Sequence, residues 1–294
     1  MTEPVNTRGL SWGTSTLGCT ELSLPEICKL LREFNLRELE IRALEGRIDL
    51  PQWAADTGWS PLRATALLAQ YKIQLRVAGS SFKLVGNDEK SRAEMLVFSQ
   101  WANSWGARYV RAFGGGTWGQ PLNEADYDQA ARTVDWWQRE KKQRGWQTEL
   151  LLETHDGFSG SSPCRELLAR VKEPIGIIWD SHHTWRLGGE APHESWSQLS
   201  PWIRHVHVKD SIAKPSGRHP YTYVLPGDGE APLGQIVGLL TEYQFAGAVS
   251  LEWERLWHSY LPPLREALTR LEAQPWFVTS VKVVNEHQSS VIAR

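Results

Sequence analysis

The strongest constraint on the fold of this sequence is an alternation, kept up along most of its length, of short apolar runs and longer amphipathic stretches. The runs expected as strands cover residues 9–13, 38–42, 74–79, 109–113, 149–154, 176–180, 203–209 and 248–252. Several are rich in Val, Ile or Leu, as strands buried on both faces are. Helical patterns lie between them. Ser23-Leu24-Pro25-Glu26 opens one with a cap residue, a first-turn proline and an acid. In 89–105 Val97, Trp101 and Trp105 recur four apart, and 124–142 runs from an acidic start to a basic end, as the helix dipole favours. Further helical spans are expected at 162–171, 193–199, 233–243 and 262–271. Strand and helix in turn, over 294 residues and without a linker-like tract, predict an α/β fold. The expected form is a single-domain (β/α)8 TIM barrel over 1–275 with a C-terminal tail at 276–294, an oligomer arm or a frayed end. An open doubly wound sheet is the competing solution, but it wants a phosphate-cradling glycine loop after its first strand. The stretch from Gly13 to Gly18 is a poor one.

Composition narrows the partners. A formal net charge of −2 and a pI near 6.5 give no electrostatic reason to expect nucleic acid or an anionic membrane. No apolar run approaches the roughly 20 residues of a spanning helix, and the N-terminus lacks the apolar stretch of a secretory signal. Three cysteines without metal-type spacing fit a reducing compartment, so a cytoplasmic protein is expected. Most of the sixteen tryptophans are expected in the core, with a minority, Trp12 among them, facing a sugar ring.

Barrel active sites are built at the C-terminal ends of the strands, so those ends were read for chemistry. Strand 5 ends in Glu153-Thr154-His155, strand 6 in Asp180-Ser181-His182-His183, strand 7 in His205-Val206-His207-Val208-Lys209 and strand 8 in Glu252-Trp253-Glu254. A lone glutamate at a strand end is more often a surface ion-pair member, and a lone strand histidine more often a bonded core residue. Four consecutive strands that each turn from apolar to Glu, Asp or His at one depth are hard to obtain from packing. Charges buried there are costly unless a cation compensates them. The expected metal ligands are Glu153, Asp180, His207 and Glu252, a donor set suited to one divalent ion (Mn2+, Zn2+, Co2+ or Mg2+). His207 is preferred to His205 because it lies nearer the mouth on the same face. His183, just past the strand, is placed to point at substrate or metal, and Arg111, Lys209 and Arg218 are candidate anion contacts. The segment 211–226 is read as a lid or a variable loop.

The segments LLLETHDGF (150–158), IIWDSHH (177–183), IRHVHVKD (203–210), LPGDGEAPLGQI (225–236) and SLEWERLWHSYLPPLREAL (250–268) together resemble the xylose isomerase-like barrel superfamily, in particular its sugar phosphate isomerase/epimerase group. The resemblance implies the same four metal ligands, with Glu153 and Glu252 as the catalytic acid/base pair. It also implies substrate contact by His183 and by Lys209, which resembles a lysine of inositol-ketone dehydratase relatives. His155 and Arg111 complete the expected substrate-binding set. The three-zinc endonuclease branch needs histidines at strands 3 and 4, where this chain has Val77-Ala78-Gly79-Ser80 and Arg111-Ala112-Phe113-Gly114.

The expected function is therefore a metal-dependent sugar or sugar-phosphate isomerase/epimerase, with proton transfer through a metal-stabilised enediolate. Two alternatives stay open. One is an inosose dehydratase-like lyase on a keto-polyol, with Lys209, His183 or His155 as acid. The other is a sugar-binding barrel without turnover. The partner is expected to be a small carbohydrate or polyol, and homo-oligomerisation is left open.

Overall fold

A computed structural model describes residues 9–282. Its strands in chain order are β1 (Ser11–Ser15), β2 (Glu38–Ile41), β3 (Gln74–Lys83), β4 (Tyr109–Phe113), β5 (Glu149–Glu153), β6 (Gly176–Asp180), β7 (Ile203–Val208), β8 (Asp210–Ile212), β9 (Thr222–Val224) and β10 (Ala248–Leu251). Eight of them pair in parallel and close into a barrel in the order β1-β10-β7-β6-β5-β4-β3-β2, with β1 joined back to β2. The eight expected strands are these eight, with β4 and β6 matching at both ends. The first is displaced by two residues, and β3 runs four residues further than expected. The remaining two strands form an antiparallel hairpin above the end of β7.

Helices cover the outside. The one at Leu24–Glu33 starts as expected, with a Ser23/Glu26 capping box and a first-turn proline. The β2–β3 connection holds two helices for which the sequence reading named no span, Leu50–Thr57 and Pro61–Tyr71. Each carries its own start signal, Asp49 and Ser60 capping the turn ahead of a proline. Trp53, Trp101 and Trp105 pack together beneath them, so these three tryptophans serve the core.

Strand side chains alternate between that outer layer and the lumen. Leu39, Ile41, Val110, Leu150, Leu152, Ile177, Trp179, Val206, Val208, Val249 and Leu251 belong to the main core between barrel and helices. Val77, Tyr109, Leu151 and Ile178 form a separate apolar cluster that fills the lumen from β3 to β6. The next inward residue along β4, β5 and β6 is Arg111, Glu153 and Asp180 respectively.

Two expectations change at the seam of the barrel. Trp12 faces outward on β1, only 4% exposed, where its indole packs at a tilt against Phe277 (centroids 4.9 Å apart) and its Nε1 donates to Ser280 Oγ at 3.0 Å. It is a packing residue remote from the mouth, because the inward positions of β1 are the neighbouring Ser11 and Gly13. The contacting residues belong to a helix at Pro275–Lys282, so the tail boundary expected at 276 falls inside an element packed on the barrel. The rest of that tail lies outside the described residues.

Candidate active site

The parallel register brings the strand ends to one level. Phe113 pairs with Glu153, Asp180 with His207, and His207 with Ser250, while Glu252 N donates to Val208 O at 3.1 Å. Glu153, Asp180, His207 and Glu252 consequently converge, all buried, with one ligand atom from each within 4.8 Å of the others. His207 Nδ1 faces the three carboxylates, at 3.3 Å from Glu153 Oε1, 3.8 Å from Asp180 Oδ2 and 3.5 Å from Glu252 Oε2. That ring nitrogen is buried and lacks a well-formed hydrogen bond. Burial would lower the basicity of His207, but Glu252 and Glu40 beside it raise its pKa well above the usual value. The crowd of oxygens at Nδ1 calls for a positive charge.

The other expected residues surround this group, apart from Trp12. Arg111 is 2% exposed and held at both terminal nitrogens: Nη1 donates to Glu153 Oε2 at 2.8 Å, Nη2 donates to Ser80 O at 3.1 Å, and the guanidinium lies over Phe113. It supports Glu153 rather than standing free for a phosphate. Burial favours the neutral form of Glu153, yet Arg111 and His207 outweigh it and hold the carboxyl well below the usual range. Glu252 is the contrary case, where burial and the neighbouring carboxylates prevail and lift it to about 7.

Lys209 spans the cage from above, its Nζ 2.8 Å from Asp180 Oδ2, 2.5 Å from Glu252 Oε2 and 2.7 Å from Glu254 Oε1. His183 Nδ1 donates to Thr154 O at 2.9 Å, which leaves Nε2 as the acceptor nitrogen, and burial depresses its pKa to about 4. His155 lies beside it, ring centroids 4.8 Å apart, and 2.9 Å from Asp156. Arg218 sits exposed on the loop of the hairpin, near Trp257.

Glu254, expected beside Glu252 as an outer group or a salt-bridge member, and two residues missed in the sequence, Arg42 and Glu40, complete the mouth. Glu254 accepts from Lys209 and from Tyr223 Oη (2.9 Å). Arg42, 5% exposed, donates to Ser81 Oγ at 2.8 Å, and a side chain at Gly79 would meet it at 2.8 Å. Glu40, fully buried, accepts from His207 Nε2 at 2.7 Å. With every carboxylate ionised and His207 neutral, as a metal ligand must be, Glu40, Glu153, Asp180, Glu252 and Glu254 face Arg42, Arg111 and Lys209, five negative charges against three positive. One divalent ion balances that excess, and the donor set, three carboxylate oxygens and an imidazole nitrogen, fits such an ion.

The segment read as a lid or a variable loop is tied down at its base. Asp210 accepts four backbone N–H bonds of 2.9–3.0 Å, from Ser211, Gly227, Gly229 and Ala231. A side chain at Gly229 would fall on the Asp210 carboxylate, so the turn requires glycine there. The hairpin it anchors sets Tyr221 and Tyr223 against His182.

Residues 30–275 match the family model described as xylose isomerase-like TIM barrel. The chain belongs to that family. The C-glycoside deglycosidase alpha subunit of Arthrobacter globiformis is 35% identical over 93 residues, 31% of this chain and 22% of that protein. An inosose dehydratase of Klebsiella pneumoniae is 24% identical over 148 residues, 46% of this chain and 50% of that protein. The xylose isomerase-like chain therefore spans half, or less, of the length of these curated relatives. Among solved structures, the IOLI protein with a bound zinc atom superposes with a TM-score of 0.71 at 20% identity, over 93% of this chain and 98% of that one. A D-tagatose 3-epimerase-like protein does so at 0.68 and 17%, over 95% and 99%. Among the described residues of this family member, no helix is long and apolar enough to cross a membrane.

Proposed function

We propose that this chain is a metal-dependent enzyme that moves a proton at the carbon next to the carbonyl of an uncharged keto-sugar or keto-polyol, giving isomerisation or epimerisation. The observation that carries the reading is the convergence of Glu153, Asp180, Glu252 and His207 Nδ1 in one buried mouth. Those four residues would hold the ion. When bound, a divalent ion supplies Lewis-acid stabilisation of the negative charge that develops as the proton leaves.

Glu153 and Glu252 come from β5 and from just past β10, with β6 and β7 between them in the barrel order. A substrate lying between them can lose a proton to one and regain it from the other. Arg111 keeps Glu153 ionised and in place. His183 Nε2 and Lys209 Nζ are placed to bind substrate oxygens, and the buried floor excludes water. The charge balance supports an uncharged substrate, since a phosphate would bring negative charge that Arg111 and Lys209, already paired, do not offset.

A lyase is the second reading, favoured by one contact. The Lys209 ammonium lies 2.5 Å from Glu252, a proton donor beside the expected base, and so can protonate a departing β-hydroxyl. Metal analysis of the purified protein comes first. A panel of ketoses, keto-inositols and their phosphates in heavy water then separates the readings. Solvent exchange without mass loss supports epimerisation or isomerisation, and loss of one water supports dehydration. An ion-loaded protein that exchanges no hydrogen on any of them would overturn both.

A further inference from the structure

Glu40 stands apart from the other mouth carboxylates. Its strand, β2, is separated from β7 by β1 and β10, so its side chain crosses the lumen to reach His207. A carboxylate there is expensive to desolvate, and an apolar residue would fill the space more cheaply. One oxygen, Oε2, lies 2.7 Å from His207 Nε2 and 3.4 Å from His205 Nε2, and only the first is a hydrogen bond. The His205 ring stands edge-on to His207 at 5.2 Å and blocks sideways motion of that imidazole.

The bond has a consequence for the opposite nitrogen. A carboxylate can only accept, so Nε2 must carry the hydrogen, and in the neutral ring the lone pair is then at Nδ1. Nδ1 is the atom that faces Glu153, Asp180 and Glu252. We propose that Glu40 is a positioning residue: by holding Nε2–H across the lumen it fixes the tautomer and orientation in which His207 presents Nδ1 to a divalent cation. It touches neither ion nor substrate. The proposal rests on the metal-cage reading above. Carboxylates that hold a metal-ligating histidine in this manner typically change metal affinity 10–100-fold when removed.

Calorimetric titration of the metal-stripped full-length protein with Mn2+ tests it, together with the nitrogen NMR shifts of His207 in the Zn2+-loaded wild type. The expected results are one ion per chain, Nε2–H with Nδ1 as ligand, and roughly 10-fold weaker Mn2+ binding in Glu40→Gln, falling to about 100-fold in Glu40→Ala. Circular dichroism of the ion-free variants should match the wild type. Wild-type affinity in Glu40→Gln, beside lost affinity in Glu153→Gln, would overturn the positioning role and leave the cage standing. Two ions per chain, the second lost in Glu40→Gln, would make Glu40 a ligand and also overturn it. Should the variants fail to fold, the wild-type spectrum decides, because an Nδ1–H tautomer in the loaded protein refutes the proposal. A wild type that binds no ion brings down the cage reading itself.

Discussion

The lumen of this barrel has two unlike halves. From β3 to β6 it is plugged by Val77, Tyr109, Leu151 and Ile178, with Arg111, Glu153 and Asp180 at the level above. Around β7, β10, β1 and β2 the inward residues include His205, Ser250, Ser11 and Glu38, with Glu40 and His207 nearer the strand ends. One half separates a packed floor from a reactive roof, while the other is polar through its depth. The two halves thus draw stability differently beneath a shared roof, because an apolar plug gains from burial and a buried polar group breaks even only when bonded.

That contrast can be broken in order of expected effect. The largest response should come from the roof they share: Glu153→Gln or Glu252→Gln should lower turnover by about 10²–10⁴ with the fold intact, read by steady-state rates and circular dichroism. Retained activity in either would remove the acid/base pair. In the apolar half, Leu151→Ala or Ile178→Ala should cost about 2–5 kcal/mol in denaturant titration, since either opens a cavity in the plug. A loss under 1 kcal/mol would mean the floor is not a packed unit. Asp210→Asn, at the roof of the polar half, should cost about 1–3 kcal/mol by the same titration. Its amide can place only one acceptor oxygen where the carboxylate places two. The smallest effect is expected at Ser250, whose buried Oγ lacks a hydrogen-bond partner among the described residues. Ser250→Ala should shift stability by less than about 0.5 kcal/mol, with a gain more natural than a loss. A large loss there would show the polar half to be as tightly packed as the plug.

The division also explains what the sequence made legible. Strands 5 and 6 read cleanly, since in each an apolar run ends in a carboxylate, Glu153 and Asp180, and both the strand and its working end show in a single line of residues. Glu40 escaped for the opposite reason. β2 reads Glu38-Leu39-Glu40-Ile41, acid on the whole inward face, so no transition marks the mouth. The alternation that favoured His207 over His205 applies there too, but β2 lies outside the run of four consecutive ends, strands 5 to 8, that marks the cage. Trp12 was misplaced because its neighbours Ser11 and Gly13 are small, and small inward residues do not reveal which face of β1 is buried in the lumen. The two helices between β2 and β3 were announced by Asp49 and Pro51 and by Ser60 and Pro61, local signals that a search for long amphipathic periods passes over.

The seam where Trp12 lies has a bearing on how the chain comes together. β1 pairs with β2 early in the sequence, but its other edge waits for β10, and Leu10 N donates to Ser280 O at 3.1 Å. A chain emerging from the ribosome therefore holds its first strand half-paired, with the Trp12 indole uncovered, until nearly the whole barrel has been made. The last described helix is the latch of the first strand, and the ring can shut only after residues 248–282 have been made.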